Sequence, residues 1–190
     1  IGYGLGDMSS SMFWKVFSAS LPFFYANIFG LSLTATSTLV LVARIWDAVS
    51  DPMMGVLADR TQTRWGKYRP YLLWMAAPFA IAGVLLFTTP DASETVKTIW
   101  AYVTYLLMMT VYTAINVPYG SMLGVMTADS DEKTIFSSYR MFFAYGGSFI
   151  VLAGWEPLCR YFNTRQGLAL EASNSNSWQW AMMVVGAACF

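Results

Sequence analysis

The chain has 190 residues, 56% of them hydrophobic, 17% aromatic and only 12% charged, with a formal net charge of zero. A soluble domain carries about twice that charged fraction, so the composition points to a membrane protein, and the zero net charge argues against a nucleic-acid partner. There is no histidine, and the two cysteines, Cys159 and Cys189, lie far apart and outside any CxxC pattern, so neither a disulfide framework nor a metal centre is suggested.

The opening stretch, GYGLGDMSSS, is small and polar, and Asp7 followed by serines reads as a cap on a first span over Ser10 to Gly30. Lys15 is the only charge in that span, and Asn27 is a second polar group. Lys15 either snorkels to the cytoplasmic interface or pairs with Asp47 or Asp51 across a helix contact, and the pairing is the preferred reading. The LPFFYANIFG end has the aromatic density of an interface.

A turn around Gly30 to Ala35 leads into the stretch around which the chain is organised, Leu39 to Asp59, LVLVARIWDAVSDPMMGVLAD. It reads as long and apolar enough to cross a bilayer, yet it carries Arg44, Asp47 and Asp51 in its middle. At 100° per residue, Val40, Arg44, Asp47, Ala48, Asp51, Gly55 and Ala58 share one face, and Val42, Trp46, Val49, Met53 and Val56 the opposite one. A charge at the bilayer centre costs roughly 2.5–3.5 kcal/mol on insertion scales, so three on one span must face a protein interior or a watery cavity. Pro52 cannot donate to the Ala48 carbonyl, which predicts a bend beside the acids and the pattern of a cation site on an interrupted helix. The alternative is an internal Arg–Asp pair that only holds helices together.

The polar loop Asp59 to Pro70 follows, with Arg60, Arg64, Lys67 and Arg69, and then an uncharged third span, Tyr71 to Thr88. TPDASETVKT reads as a turn. A fourth span from about Thr98 to Ala128 is uncharged and exceeds the ~20 residues that a crossing needs. After the short loop with Asp129, Asp131, Glu132 and Lys133, a fifth span runs from Ile135 to Trp155 with Arg140 as its isolated charge. A longer polar loop, Glu156 to Ser177, leads to Trp178 and a sixth apolar run. With no methionine at Ile1 and an end inside that run, residues 1–190 read as a fragment, one transmembrane bundle with its sixth helix truncated. Inside segments would hold Arg60, Arg64, Lys67, Arg69, Lys133 and Arg140, against Lys97, Arg160 and Arg165 outside, which favours a cytoplasmic N-terminus. Trp65 and Trp74 then belong at the inner interface, and Trp100, Trp155 and Trp178 at the outer one.

The fourth span has a polar stripe of its own. Thr113, Asn116, Gly120 and Gly124 share a face, bordered by Tyr105, Tyr112 and Tyr119. Thr and Asn can coordinate a cation or hydrogen-bond a sugar hydroxyl, and a tyrosine offers a ring face with a polar tip to a pyranose. Gly120 and Gly124 read as helix-packing positions, where small residues allow close approach. Asn116, just before Pro118, reads equally as a ligand contact or as an interhelical hydrogen bond. Arg140 shares a face with Phe143, Ala144 and Gly147, and either contacts a substrate hydroxyl or anchors the span at the headgroups.

VARIWDAVSDPMMGVLADRTQTRWGKYRPYLL, together with NVPYGSMLGVMT on the fourth span, resembles the N-terminal half of a glycoside–pentoside–hexuronide:cation symporter. These are the melibiose-permease-like members of the major facilitator superfamily. Gly55-Val-Leu-Ala-Asp59-Arg60 also resembles the superfamily's loop signature between the second and third helices. The resemblance covers nearly all of the chain. It implies an all-α membrane protein, the six-helix N-terminal bundle of a twelve-helix major facilitator fold, whose C-terminal bundle lies outside the chain. It implies that Asp47 and Asp51, with Thr113, bind the coupling cation, the two acids as ligands for Na⁺ alone among metals. Asn116, Arg140, Tyr119 and Lys15 become substrate-binding candidates, and Arg44, Gly55, Asp59, Arg60 and Arg64 structural or gating ones. Melibiose-permease-type proteins have an aspartate at the Asn116 position and another on the first helix, where Ser11 stands here. Both are associated with galactosides, so melibiose is not the expected sugar, and NVPYGS is more like the pentoside and glucuronide branches.

The expected function is therefore symport of a glycoside, pentoside or hexuronide with Na⁺ or H⁺ across a bacterial inner membrane, with no cofactor beyond the coupling cation. With no nucleophile–base pair or phosphate loop, an enzyme is not expected. Two other classes stand beside it. One is an amphiphile carrier of the same superfamily, like the lysolipid transporters, marked by a lipid-open apolar cleft. The other is a non-transporting membrane sensor, marked by ligand binding without flux.

Overall fold

The computed structural model describes residues 2–90, 92–167 and 175–189. Six helices follow one another: α1 (Gly2–Phe23), α2 (Leu33–Arg60), α3 (Arg69–Leu86), α4 (Glu94–Met126), α5 (Ser130–Arg165) and α6 (Ser175–Cys189), with a wide π-helical turn, Phe24–Phe29, continuing α1. Among the described residues there is no strand, only an isolated bridge between Thr63 and Gly66.

The first helix begins well before the expected Ser10. Asp7 lies inside α1 and is not its cap. The glycines that made this stretch look like a polar leader are contact positions instead. A Cβ on Gly4 would stand 2.5 Å from the Phe143 ring and 3.1 Å from the Tyr139 carbonyl of α5, and one on Gly147 would stand 2.5 Å from Met8. Small residues thus let α1 and α5 approach closely, the common solution where no water drives helices together. The π turn after Pro22 ends at Gly30, whose φ of +80° and N–H bond to the Tyr25 carbonyl make a left-handed cap suited to glycine.

Ser32 caps α2 by accepting the Ala35 N–H at 3.1 Å, so the helix starts a turn and a half before Leu39. It runs ~42 Å at 1.5 Å per residue. The expected interruption at Pro52 does not occur: the helix is continuous through it. Pro70 sits in the first turn of α3, where its missing N–H costs nothing. α5 passes the expected end at Trp155 and runs to Arg165, with the ion pair Glu156–Arg160 on its polar end. This charged stretch, expected as loop, is helical because Glu156 and Arg160 stand one turn apart and pair. Ser175 to Ser177, expected as loop, open α6, and residues 168–174 of the expected loop lie outside the described residues.

The core is aromatic. Phe13 packs on Phe79 at 4.4 Å between centroids, and Phe24, Phe87, Trp155 and Trp178 form a knot at the far end of α1, with Trp155 and Trp178 5.6 Å apart edge to face. Trp155 is buried in this knot instead of facing headgroups, whereas Trp65 and Trp74 are exposed as expected of interfacial indoles. Among the described residues three helices, α3, α4 and α5, are long and apolar enough to cross a membrane. α1, α2 and α6, also expected to cross, are not among them, α6 having only 15 described residues. α2 packs along α4 and leaves Leu41, Ile45, Met53, Val56 and Leu57 exposed on its other side.

Candidate functional site

Asp47 and Asp51 occupy the middle of α2, one turn apart. Because α2 lies along α4, Asp51 meets the fourth helix where Thr113 is buried, and the Thr113 hydroxyl donates to Asp51 Oδ1 at 2.9 Å. Asp47 is half-buried, and its Oδ1 is buried with no hydrogen-bond partner. A carboxylate oxygen taken from water without a donor is expensive, and a cation or a proton relieves that cost. Two carboxylates and a hydroxyl offer oxygen only, the donor set of a hard cation. Among the described residues no group of three or more His, Cys, Asp or Glu side chains is placed to hold a metal.

Trp46 ties the same two helices, its Nε1–H donating to Thr110 Oγ1 at 2.9 Å. Helical projection set Trp46 opposite the acids, but its long indole reaches α4 from the flank. Gly55 is less crowded than expected. A Cβ there would meet only Val117, at 4.0 Å, so this face holds a methyl group without strain. Gly120 and Gly124, read as packing positions, are exposed, and a Cβ on either meets nothing within 4 Å. Arg44 forms no ion pair with Asp47 within 4 Å; it lines a cavity of about 140 Å³ with Trp14, Tyr25 and Tyr105.

The substrate candidates divide. Asn116 is exposed, and its Nδ2 donates weakly to the Tyr112 hydroxyl at 3.4 Å. Tyr112 is thereby drawn in: its ring stacks on Trp14 at 4.9 Å. Tyr119 is committed to packing. Its ring stacks on Tyr3 at 4.8 Å and its hydroxyl donates to the Tyr3 carbonyl. Lys15 forms none of the ion pairs found among the described residues, so the expected partnership with Asp47 or Asp51 is absent. Arg140 is not an anchor in open headgroup space. It is half-buried, and its Nε lies 3.4 Å from Asp7 Oδ2. Asp7 is the residue that the sequence reading missed. The available signal was that Asp7 and Arg140 are lone, opposite charges in weakly charged segments, which in a membrane seek each other.

At the end of α2, Asp59 accepts from the Lys67 ammonium at 3.0 Å and from the Tyr68 hydroxyl at 3.0 Å. Both hold its carboxyl below the usual value, the Lys67 bond foremost. The loop between them turns at Gly66, whose φ is +96°, and Arg60 and Arg64 stay exposed.

A sequence model of the family described as MFS/sugar transport protein matches residues 2–189. The chain belongs to this family. It is a family of transporters, not enzymes, and the six-helix bundle is that of an N-terminal major facilitator half. The chain is 51% identical over 158 residues to the protein named "Putative glycoside/cation symporter YagG" of Escherichia coli K12, covering 83% of the chain and 34% of that protein. It is 43% identical over 158 residues to "Inner membrane symporter YicJ" of the same organism, with the same coverage of 83% and 34%. To the isoprimeverose transporter of Lactiplantibacillus pentosus it is 39% identical over 183 residues, 96% of the chain and 37% of that protein. The chain thus spans little more than a third of each of these relatives.

Proposed function

We propose that this chain is the N-terminal bundle of a secondary active transporter that carries a glycoside, pentoside or hexuronide in symport with Na⁺ or H⁺. The observation that carries the reading is the Thr113–Asp51 hydrogen bond beside the unpartnered buried oxygen of Asp47. Two acids one turn apart repel, and a sodium ion or a proton between them removes the repulsion. Occupancy then fixes α2 against α4 at Thr113. Tyr112 immediately precedes Thr113 in the chain, and Asn116 lies one turn on, so the same event sets the geometry of the sugar pocket. Linkage requires that cation and sugar raise each other's affinity by one factor, typically worth ~1–3 kcal/mol. A second bundle completes the pocket, and access alternates around it. The names of the relatives support a sugar as cargo, and the basic loop after α2 supports a cytoplasmic N-terminus in a bacterial inner membrane.

The test is counterflow by the full-length protein in proteoliposomes, with isoprimeverose, methyl β-D-xyloside, methyl β-D-glucuronide and a lysophospholipid, with and without sodium and across pH. Cation-stimulated exchange of a sugar is expected. Exchange of the lysophospholipid alone would replace the sugar reading, and binding without exchange would replace transport.

A further inference from the structure

Arg140 and Asp7 form an ion pair between α5 and α1 that the coupling site does not use. The Asp7 side chain is 13% exposed, and the pair is a charge contact without hydrogen-bond geometry, since Arg140 Nε is buried and makes no hydrogen bond. The Tyr3 hydroxyl is buried beside the guanidinium and interacts with it. The buried Arg140 Nε, without an acceptor, marks a place where a ligand's oxygen belongs. α1 connects this place to the proposed pocket: Trp14, two turns beyond Asp7, stacks on Tyr112, whose hydroxyl accepts from Asn116. The glycine seam holds the pair together: Gly4 and Gly147 set α1 against α5 on both sides of Asp7.

The consequence is one of charge. An arginine alone in a partly desolvated sugar pocket would recruit a carboxylate in bidentate fashion and so select a hexuronide. Here the guanidinium is already neutralised, and a hexuronide's carboxylate would have to sit beside that of Asp7. We propose that Asp7 is a specificity-determining residue: by neutralising Arg140 it tunes the pocket for uncharged glycosides and pentosides and against hexuronides. The Arg140 donor is then spent on a sugar hydroxyl. This inference rests on the reading that Arg140 faces the sugar.

Binding of isoprimeverose, methyl β-D-xyloside and methyl β-D-glucuronide to the full-length protein in proteoliposomes tests it. The parent is expected to bind a neutral sugar about tenfold or more tighter than the glucuronide. Asp7→Asn, and Asp7→Ser beside it, should shift that ratio toward the glucuronide by about tenfold, while Asp7→Glu keeps the parent's preference. A pair that only staples two helices would lower thermal stability without moving the ratio. A parent that prefers the glucuronide overturns the proposal without any variant, as does a folded Asp7→Asn protein whose ratio stays within roughly twofold of the parent's. Arg140→Gln separates the two levels. If it leaves every affinity unchanged, or if the parent binds none of the three sugars, the pocket reading itself fails. If it weakens binding while Asp7→Asn leaves the ratio unmoved, only the role of Asp7 fails.

Discussion

Thr113 donates its hydroxyl to Asp51 at 2.9 Å, and this bond joins the charged face of α2 to the polar stripe of α4. The two helices contribute one residue each to what the account treats as a single cation site. Thr113→Val keeps the volume and removes the oxygen. It should raise the sodium or proton concentration needed for half-maximal stimulation by about tenfold, in line with a lost bond to a charged group. Thr113→Ser should stay near the parent. Counterflow measured against sodium and pH reads the shift, and an unchanged midpoint in Thr113→Val would remove Thr113 from the site.

The α1–α5 seam should reject added volume. A Cβ at Gly4 or Gly147 already meets a neighbour at 2.5 Å, so Gly4→Val and Gly147→Val should each lower stability by about 1–3 kcal/mol. Gly120→Ala and Gly55→Ala, with open space or an ordinary contact, should stay within about 0.5 kcal/mol. Thermal unfolding in detergent micelles separates the two groups, and equal losses at all four positions would argue against the seam.

The loop after α2 should loosen in acid. Asp59 has its carboxyl held below the ordinary value by Lys67 and Tyr68, so the pair's contribution is complete above that ordinary value and fades as pH falls through the lower, folded one. A spin label at Gln62 should gain mobility only below about pH 4, where an unpaired carboxylate begins to protonate. In Asp59→Asn it should be mobile at every pH. A label equally mobile in parent and variant at neutral pH would show that the exposed pair does not order the loop.

The same loop should face the cytoplasm. A single cysteine at Gln62, in a protein otherwise freed of cysteine, should react with an impermeant maleimide in inverted vesicles and stay unlabelled in intact cells. Labelling from outside the cell would reverse the orientation of all six helices.

The charges of α2 were legible because a membrane makes them costly: three ionisable groups in an apolar stretch have few possible places, and the pattern set Arg44, Asp47 and Asp51 on one face. Thr113 was legible as part of a polar stripe, although only the packing of α2 on α4 shows that it meets Asp51. Asp7 was legible only as a charge opposite in sign to Arg140, because Gly4 and Gly6 look like loop residues until the helix they must approach is known. Close approach is a property of two helices, and no local pattern carries it. Losing one hydrogen bond at Pro52 does not interrupt a long helix that neighbours hold on both sides of the proline. The polar end of α5 was read as loop because charge was weighed without the one-turn spacing of Glu156 and Arg160.

The central claim is that Asp47 and Asp51 bind the coupling cation and that the bound cation prepares the sugar site. The measurement is sugar affinity of the full-length protein against sodium concentration and pH, for the parent, Asp47→Asn and Asp51→Asn. In the parent, affinity should rise with sodium or with acid by a factor that sugar returns in cation affinity. Each variant should lose most of that stimulation while retaining some cation-independent sugar binding. If both variants keep the parent's full stimulation, the acids hold helices together and the cation is bound elsewhere.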